Sequence, residues 1–179
     1  MTLTTHSIIA AAVTKPLMRF LAASAIPAHV HPIFIFLVAV ASHYAADAIP
    51  HWDYPLASIE NPENKENRRW GRDRSTLLKD ISHFALDGFL GAAIVLVIIH
   101  PVTAQQWTWA LLAIIGGCLP DFLQGVYMLE RKFLRLHQRF HDICHTDIRL
   151  GHYPRFGIPF QAIIAMIALY TLLYTHSGI

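Results

Sequence analysis

Residues 81–100 read ISHFALDGFLGAAIVLVIIH, and this stretch decides the fold class. It has the length of a bilayer-crossing helix, which needs about 20 mostly apolar residues. Its second half is uninterrupted aliphatic sequence, yet its first half carries His83 and Asp87. Two further stretches have the same character: residues 32–50, PIFIFLVAVASHYAADAIP, and residues 156–176, FGIPFQAIIAMIALYTLLYTH. A fourth, residues 107–127, is apolar but interrupted by Gly116, Gly117, Pro120 and Asp121. Residues 7–26 form a weaker candidate because Lys15 and Arg19 lie inside them, so they read as a tilted span or as a helix lying in the interface.

Composition agrees. Of the 179 residues, 54% are hydrophobic and 15% charged, and the mean hydropathy is +0.40. A soluble domain carries roughly 25% charged residues, so the missing charge points to lipid contact. The expected architecture is all-α: one transmembrane domain over residues 1–179, a polytopic bundle of four or five helices. A net charge of +2 is too small to argue for nucleic acid. The two cysteines, Cys118 and Cys144, make no disulfide framework. Residues 1–13 contain no Lys or Arg, unlike the start of a secretory signal, so the N-terminus is read as part of the mature chain.

The basic residues orient the passes. Loop 51–79 holds Lys65, Arg68, Arg69, Arg72, Arg74 and Lys79, and segment 127–155 holds Arg131, Lys132, Arg135, Arg139, Arg149 and Arg155. The connections at 27–31 and 101–106 hold none. Cytoplasmic loops carry the Lys/Arg excess, which predicts a cytoplasmic loop at about 51–79, a cytoplasmic amphipathic segment at about 128–154, and a multi-pass protein of the cytoplasmic membrane. The run Arg68, Arg69, Arg72 and Arg74 reads first as this topology signal and second as a phosphate site.

Twelve histidines are the unusual count. Ser42-His43-Tyr44-Ala45-Ala46-Asp47 recurs as Ser82-His83-Phe84-Ala85-Leu86-Asp87. Residues four apart share a helix face, so each copy presents an imidazole and a carboxylate together. At 1.5 Å per residue, His43, Asp87 and Asp121 lie roughly 10 Å from the cytoplasmic ends of their passes, with Asp47 and His83 shallower. If these passes are neighbours, His43 meets Asp87 at one level and Asp47 meets His83 a turn below. His51 and Asp53 continue the first copy into the interface, and His137, His141 and His145 repeat every four residues along one helix face. His6 reaches the same side if residues 7–26 cross. Ionisable residues within a membrane are costly and mark function by default. Imidazole plus carboxylate suits zinc, manganese or iron. The donors exceed one ion's needs and suit two or three, with an Asp bridging. An unligated carboxylate, Asp53 or Asp142, is then the general base or acid. His29, His31, His100 and His176 fall on the opposite face and read as anchoring residues; His152 fits either side.

Four segments resemble a known family: Thr5-His6-Ser7-Ile8-Ile9-Ala10, Asp47-Ala48-Ile49-Pro50-His51-Trp52-Asp53, Leu119-Pro120-Asp121 and His141-Asp142-Ile143-Cys144-His145-Thr146. They resemble the YdjM-like membrane-bound metal-dependent hydrolases. That family opens with a His-bearing apolar helix, carries a Pro-Asp-x-Asp-His type run, and later has His-Arg-Gly-x-Thr-His-Ser. Here His141-x3-His145-Thr146 stands in place of the last motif. The His-x3-Asp spacing is more distantly similar to that of zinc-dependent phospholipase C and S1/P1 nucleases, helical enzymes with trinuclear zinc sites. The resemblance implies a divalent-metal hydrolase acting on a phosphoester of a lipid or other small amphiphile. A metal or proton transporter, or a non-catalytic metal-binding membrane subunit, are the other readings of the same residues.

Overall fold

The computed structural model describes residues 1–61, 68–129, 133–148 and 150–174. Lys65, Arg131, Lys132, Arg149 and His176 lie outside the described residues. The chain folds as α1 (Leu3–Ala23), α2 (His31–Asp47), a two-stranded hairpin of β1 (Ile59–Glu60) and β2 (Arg69–Trp70), α3 (Arg74–Ile99), α4 (Ala104–Leu129), α5 (Arg135–Cys144) and α6 (Pro154–Tyr174). The all-α reading holds. Four stretches are long and apolar enough to cross a membrane: Ala28–Asp47, Arg74–Ile99, Ala104–Leu129 and Pro154–Tyr174. Val97, Phe89 and Tyr170 on α3 and α6 are exposed, as side chains facing lipid would be and as a water-soluble surface rarely allows.

Helix α1 is not an interfacial helix. It carries buried residues from Leu3 to Leu21, with Val13, Pro16 and Phe20 exposed, and packs against α2, α3, α4 and α6, so it is the central post of the bundle. Lys15, which weakens it as a span, is buried and donates to the Leu172 carbonyl at 2.9 Å. Thr14 bonds back to Ala10, in the manner of polar residues that satisfy themselves on their own helix.

Small residues set the approach of the helices. A Cβ on Gly116 would stand 2.7 Å from Ala39 of α2, and one on Gly117 would stand 2.7 Å from Ala10 of α1. A Cβ on Gly91 of α3 would stand 2.7 Å from the Thr4 Cα. Membrane helices associate through such small-residue contacts because lipid offers no hydrophobic drive between them. This explains why α4 runs unbroken through Gly116, Gly117 and Pro120, where the sequence suggests an interruption: both glycines are sites of contact with neighbouring helices.

Helix α3 begins at Arg74, well before the apolar stretch, because the Asp73 side chain caps it by accepting from the Ser75 and Thr76 N–H groups. Ahead of it, the hairpin is tied down by Asp80, which accepts from the Ser58 N–H and hydroxyl, and by Trp70, whose indole donates to the Gly125 carbonyl of α4. At the other end of α3, His100 takes the left-handed conformation at φ 49° and closes the helix by donating its N–H to Leu96. His31 bonds to the Ile26 carbonyl. Both play the structural parts expected of histidines at that end.

Candidate metal centre

The end of α2, the first turns of α1, the last turns of α4 and the amphipathic α5 meet at one end of the bundle. His43 and Asp47 lie one turn apart on the inward face of α2, each 1% exposed. Asp121 enters from α4 and His141 from α5. One donor atom from each of these four lies within 4.8 Å of all the others. His43 Nε2 is 3.1 Å from Asp47 Oδ2, 3.3 Å from His141 Nε2 and 3.7 Å from Asp121 Oδ1. His141 Nε2 is 3.4 Å from Asp47 Oδ2 and 3.5 Å from Asp121 Oδ1. Bonds of about 2.0–2.1 Å to a tetrahedral zinc put its ligand atoms about 3.3 Å apart. The four donors are therefore spaced as the corners of a metal's ligand set.

The orientation of the rings agrees with the spacing. His43 Nδ1–H donates to the Gly117 carbonyl at 2.8 Å, which leaves the Nε2 lone pair facing the cluster. His51 Nδ1–H donates to the Ile49 carbonyl at 2.7 Å, and His145 Nδ1–H to the Thr146 carbonyl at 3.0 Å. Gln124 of α4 contacts His141 Nδ1 at 3.3 Å. Metal-ligating histidines are fixed in this way, with one ring nitrogen tied to a carbonyl or amide and the other presented to the ion. Asp47 Oδ2 and His51 Nε2 are buried and yet have no aligned hydrogen-bond partner among the described residues. A buried polar atom without a partner is costly, and an ion at the point where these atoms converge removes that cost.

A second group adjoins the first. Asp47, His51 and His145 each offer an atom within 4.8 Å of the others. Asp47 Oδ1 is 3.8 Å from His51 Nε2. Asp53 joins at the rim, with Oδ2 3.3 Å from His51 Nε2 and 3.9 Å from His145 Nε2. The Met1 ammonium lies 2.7 Å from Asp53 Oδ1 and 3.4 Å from Asp47 Oδ1, so a positive charge already sits against this acidic pair. His6 stacks on His43 with centroids 4.0 Å apart, and its Nε2 reaches Asp47 Oδ1 at 3.1 Å and Asp121 Oδ2 at 3.7 Å. Asp47 thus turns Oδ2 to one group and Oδ1 to the other, the arrangement of a bridging carboxylate.

The electrostatics at the mouth follow from this crowding. Burial pushes the His141 imidazole towards neutrality, but the Asp121 and Asp47 carboxylates outweigh it and hold its pKa up at about 9. Burial would raise Asp53; the Met1 ammonium and His51 overcome it and keep this carboxyl below the usual carboxylate range. Burial lowers His145, favouring the neutral ring that a metal requires.

Of the residues expected from the sequence, His6, His43, Asp47, His51, Asp53, Asp121, His141 and His145 come together. His137 sits at the edge: its Nε2 is 3.2 Å from the Tyr44 hydroxyl, and its ring centroid is 6.1 Å from that of His141. Three residues do not join. His83 is exposed on the outer face of α3. Asp87 accepts hydrogen bonds from the Leu3 and Thr4 N–H groups at 2.6 and 3.2 Å and does not face the cluster. The expected pairs His43–Asp87 and Asp47–His83 require α2 and α3 to be neighbours, whereas α1 packs against both and stands in that place. Asp142 leaves the helix on a different side from His141, as consecutive residues do, and pairs with Arg68 at 3.6 Å. Gln124 and the backbone carbonyls of Gly117, Ile49 and Thr146 carry no sequence signal and emerge only in three dimensions.

No family model, curated protein or solved structure matches this chain. Fold and site together have the make-up of a helical membrane protein with a buried His/Asp cluster able to hold a metal ion.

Proposed function

We propose that the chain is a membrane-embedded hydrolase that uses two or more zinc ions to cleave a phosphoester of a lipid-like substrate at the cytoplasmic face. The observation that carries this reading is the set of Nε2 atoms of His43, His51 and His141 turned onto a shared carboxylate, Asp47, with His145 grouped beside Asp47 and His51. His43, His141, Asp47 and Asp121 would hold one ion; Asp47, His51 and His145 would hold another, with His6 supplementing the Asp47–Asp121 edge. Ions held there would supply water activated at neutral pH and electrostatic stabilisation for displacement at phosphorus. Asp53 is the candidate base by position: it is 47% exposed and beside His51, where its carboxylate faces water entering at the rim.

A lipid-like substrate is favoured by the surroundings. A groove of ≈ 700 Å³ between α1, α2 and α6 is lined by Ile9, Val38, Ala45 and Ile49 among other apolar residues. Its two hydroxyls are spent on their own helices, Ser42 on the Ala39 carbonyl and Thr171 on the Ile167 carbonyl. At its site end, Ile49 lends its carbonyl to His51. Transport is less favoured: beyond the cluster the core continues as the apolar Ile8, Ala11, Val95 and Ile114, and the buried polar groups there are spent on carbonyls, Thr14 on Ala10 and Lys15 on Leu172.

Metal analysis of the full chain purified in detergent tests the reading first, with one or more zinc ions per chain expected. Hydrolysis of a panel of phospholipids and soluble phosphoesters, abolished by chelation and restored by zinc, tests it second. Less than one ion per chain would defeat the enzyme. Bound zinc with no hydrolysis, but with zinc flux in proteoliposomes, would establish the transporter instead.

A further inference from the structure

Asp87 lies well inside α3, and a carboxylate there needs a partner. It finds one in the first turn of α1. The Leu3 N–H donates to Oδ2 at 2.6 Å and the Thr4 N–H to Oδ1 at 3.2 Å. The Thr4 hydroxyl contacts Oδ1 at 2.6 Å and the Asp87 carbonyl at 2.8 Å. A helix leaves its first four N–H groups unpaired and carries partial positive charge at that end, so a carboxylate placed there binds it from outside. One turn further along α3, Gly91 lets α1 come within a distance that any side chain would forbid. From the other side, Gln161 of α6 donates to the Thr2 and Thr5 hydroxyls at 3.0 and 3.1 Å, while its carbonyl accepts from the Trp52 N–H at 3.2 Å. The first turn of α1 is clamped between α3 and α6.

His6 follows directly on this clamp. His43, His51 and His145 each have a carbonyl on Nδ1 to fix the ring; His6 has none among the described residues, and its Nε2 faces only the cluster carboxylates, 3.1 Å from Asp47 Oδ1 and 3.7 Å from Asp121 Oδ2. Its ring is placed by stacking on His43 and by its own backbone. We infer that Asp87 is a positioning residue for the metal centre, holding the first turn of α1 so that His6 meets Asp47 and Asp121. The inference rests on the metal-binding reading above. It also gives the second His-x3-Asp copy a role distinct from ligation: the carboxylate acts through the helix that delivers another histidine.

The test is zinc affinity of the full chain in detergent, measured by chelator competition for wild type, Asp87→Ala, His6→Ala and the double variant. Loss of a partner that orients a ligand lowers metal affinity about 10- to 100-fold, and Asp87→Ala is expected in that range. In the His6→Ala background Asp87→Ala should cost nothing more, since residues that act through one another are not additive. Asp87→Asn keeps the shape and one acceptor oxygen, so it should lose less than Asp87→Ala, and it carries the same comparison if Asp87→Ala does not fold. Wild-type affinity in both Asp87 variants would overturn the inference, as would an equal loss with and without His6, which would make Asp87 a general fold support. A wild-type chain that binds no zinc would instead remove the metal reading itself.

Discussion

Gly117→Ala is the sharpest test of the geometry. The added Cβ would lie 2.7 Å from Ala10 Cβ and 3.0 Å from the His6 carbonyl oxygen, both on α1, where contacts below 3.4 Å are already tight. Relief requires α1 to retreat by about 0.7 Å, the shortfall of 2.7 Å against 3.4 Å, because neither contact is the flexible end of a side chain. Overpacking of this kind costs about 1–3 kcal/mol. The retreat also withdraws His6 from Asp47, and Gly117 supplies the carbonyl that orients His43. Misplacement of reacting groups by about 1 Å costs on the order of 100-fold in rate, so activity should fall more than stability alone explains. Gly125→Ala is the internal comparison on the same helix, since among the described residues its Cβ would meet only the Trp70 ring at 3.9 Å. There the substitution should stabilise by about 0.5–1 kcal/mol through the better helix propensity of alanine. Thermal unfolding in detergent and zinc competition read both effects. Equal behaviour of the two variants, or wild-type zinc affinity in Gly117→Ala, would refute the close crossing of α1 and α4 as what sets the site.

Two other predictions concern the cluster. Asp47→Asn keeps the shape but removes the charge shared by His6, His43, His51 and His141, and zinc affinity should fall by more than the ~100-fold ceiling for an outer partner; retention within tenfold on chelator titration would exclude Asp47 as the bridge. The His141 proton, held to about pH 9 in the ion-free protein, must leave before zinc binds, so zinc affinity should rise from pH 7 to 9, by about 50-fold from this proton. The stability sign is opposite: a folded pKa above the unfolded value near 6.5 adds stability below that value and loses it as pH rises through about 9. Chelated protein should therefore melt at lower temperature at pH 9 than at pH 7, and an affinity flat across that window would show that the proton is not there.

Much of this protein is local information. Length and hydropathy mark the stretches that became α2, α3, α4 and α6, because a span must satisfy its own backbone and face lipid wherever it sits. The four-residue spacing put His43 with Asp47 and His137 with His141, since helical period is a property of the chain alone, whereas α5 ends at Cys144 and His145 reaches the site from extended backbone just beyond it. The charge asymmetry gathered the cluster at one end. What the sequence left open was which helix faces which. The two His-x3-Asp copies look equivalent as text, and only packing separates them. Gly91 and Gly117 draw α1 into the centre, so the carboxylate of the first copy meets imidazoles and that of the second meets a helix end. The same central placement brings His6 into the site and leaves His83 outside. Close approach between helices depends on pairs of small residues far apart in the chain, and a single sequence records the residues but not the pairing.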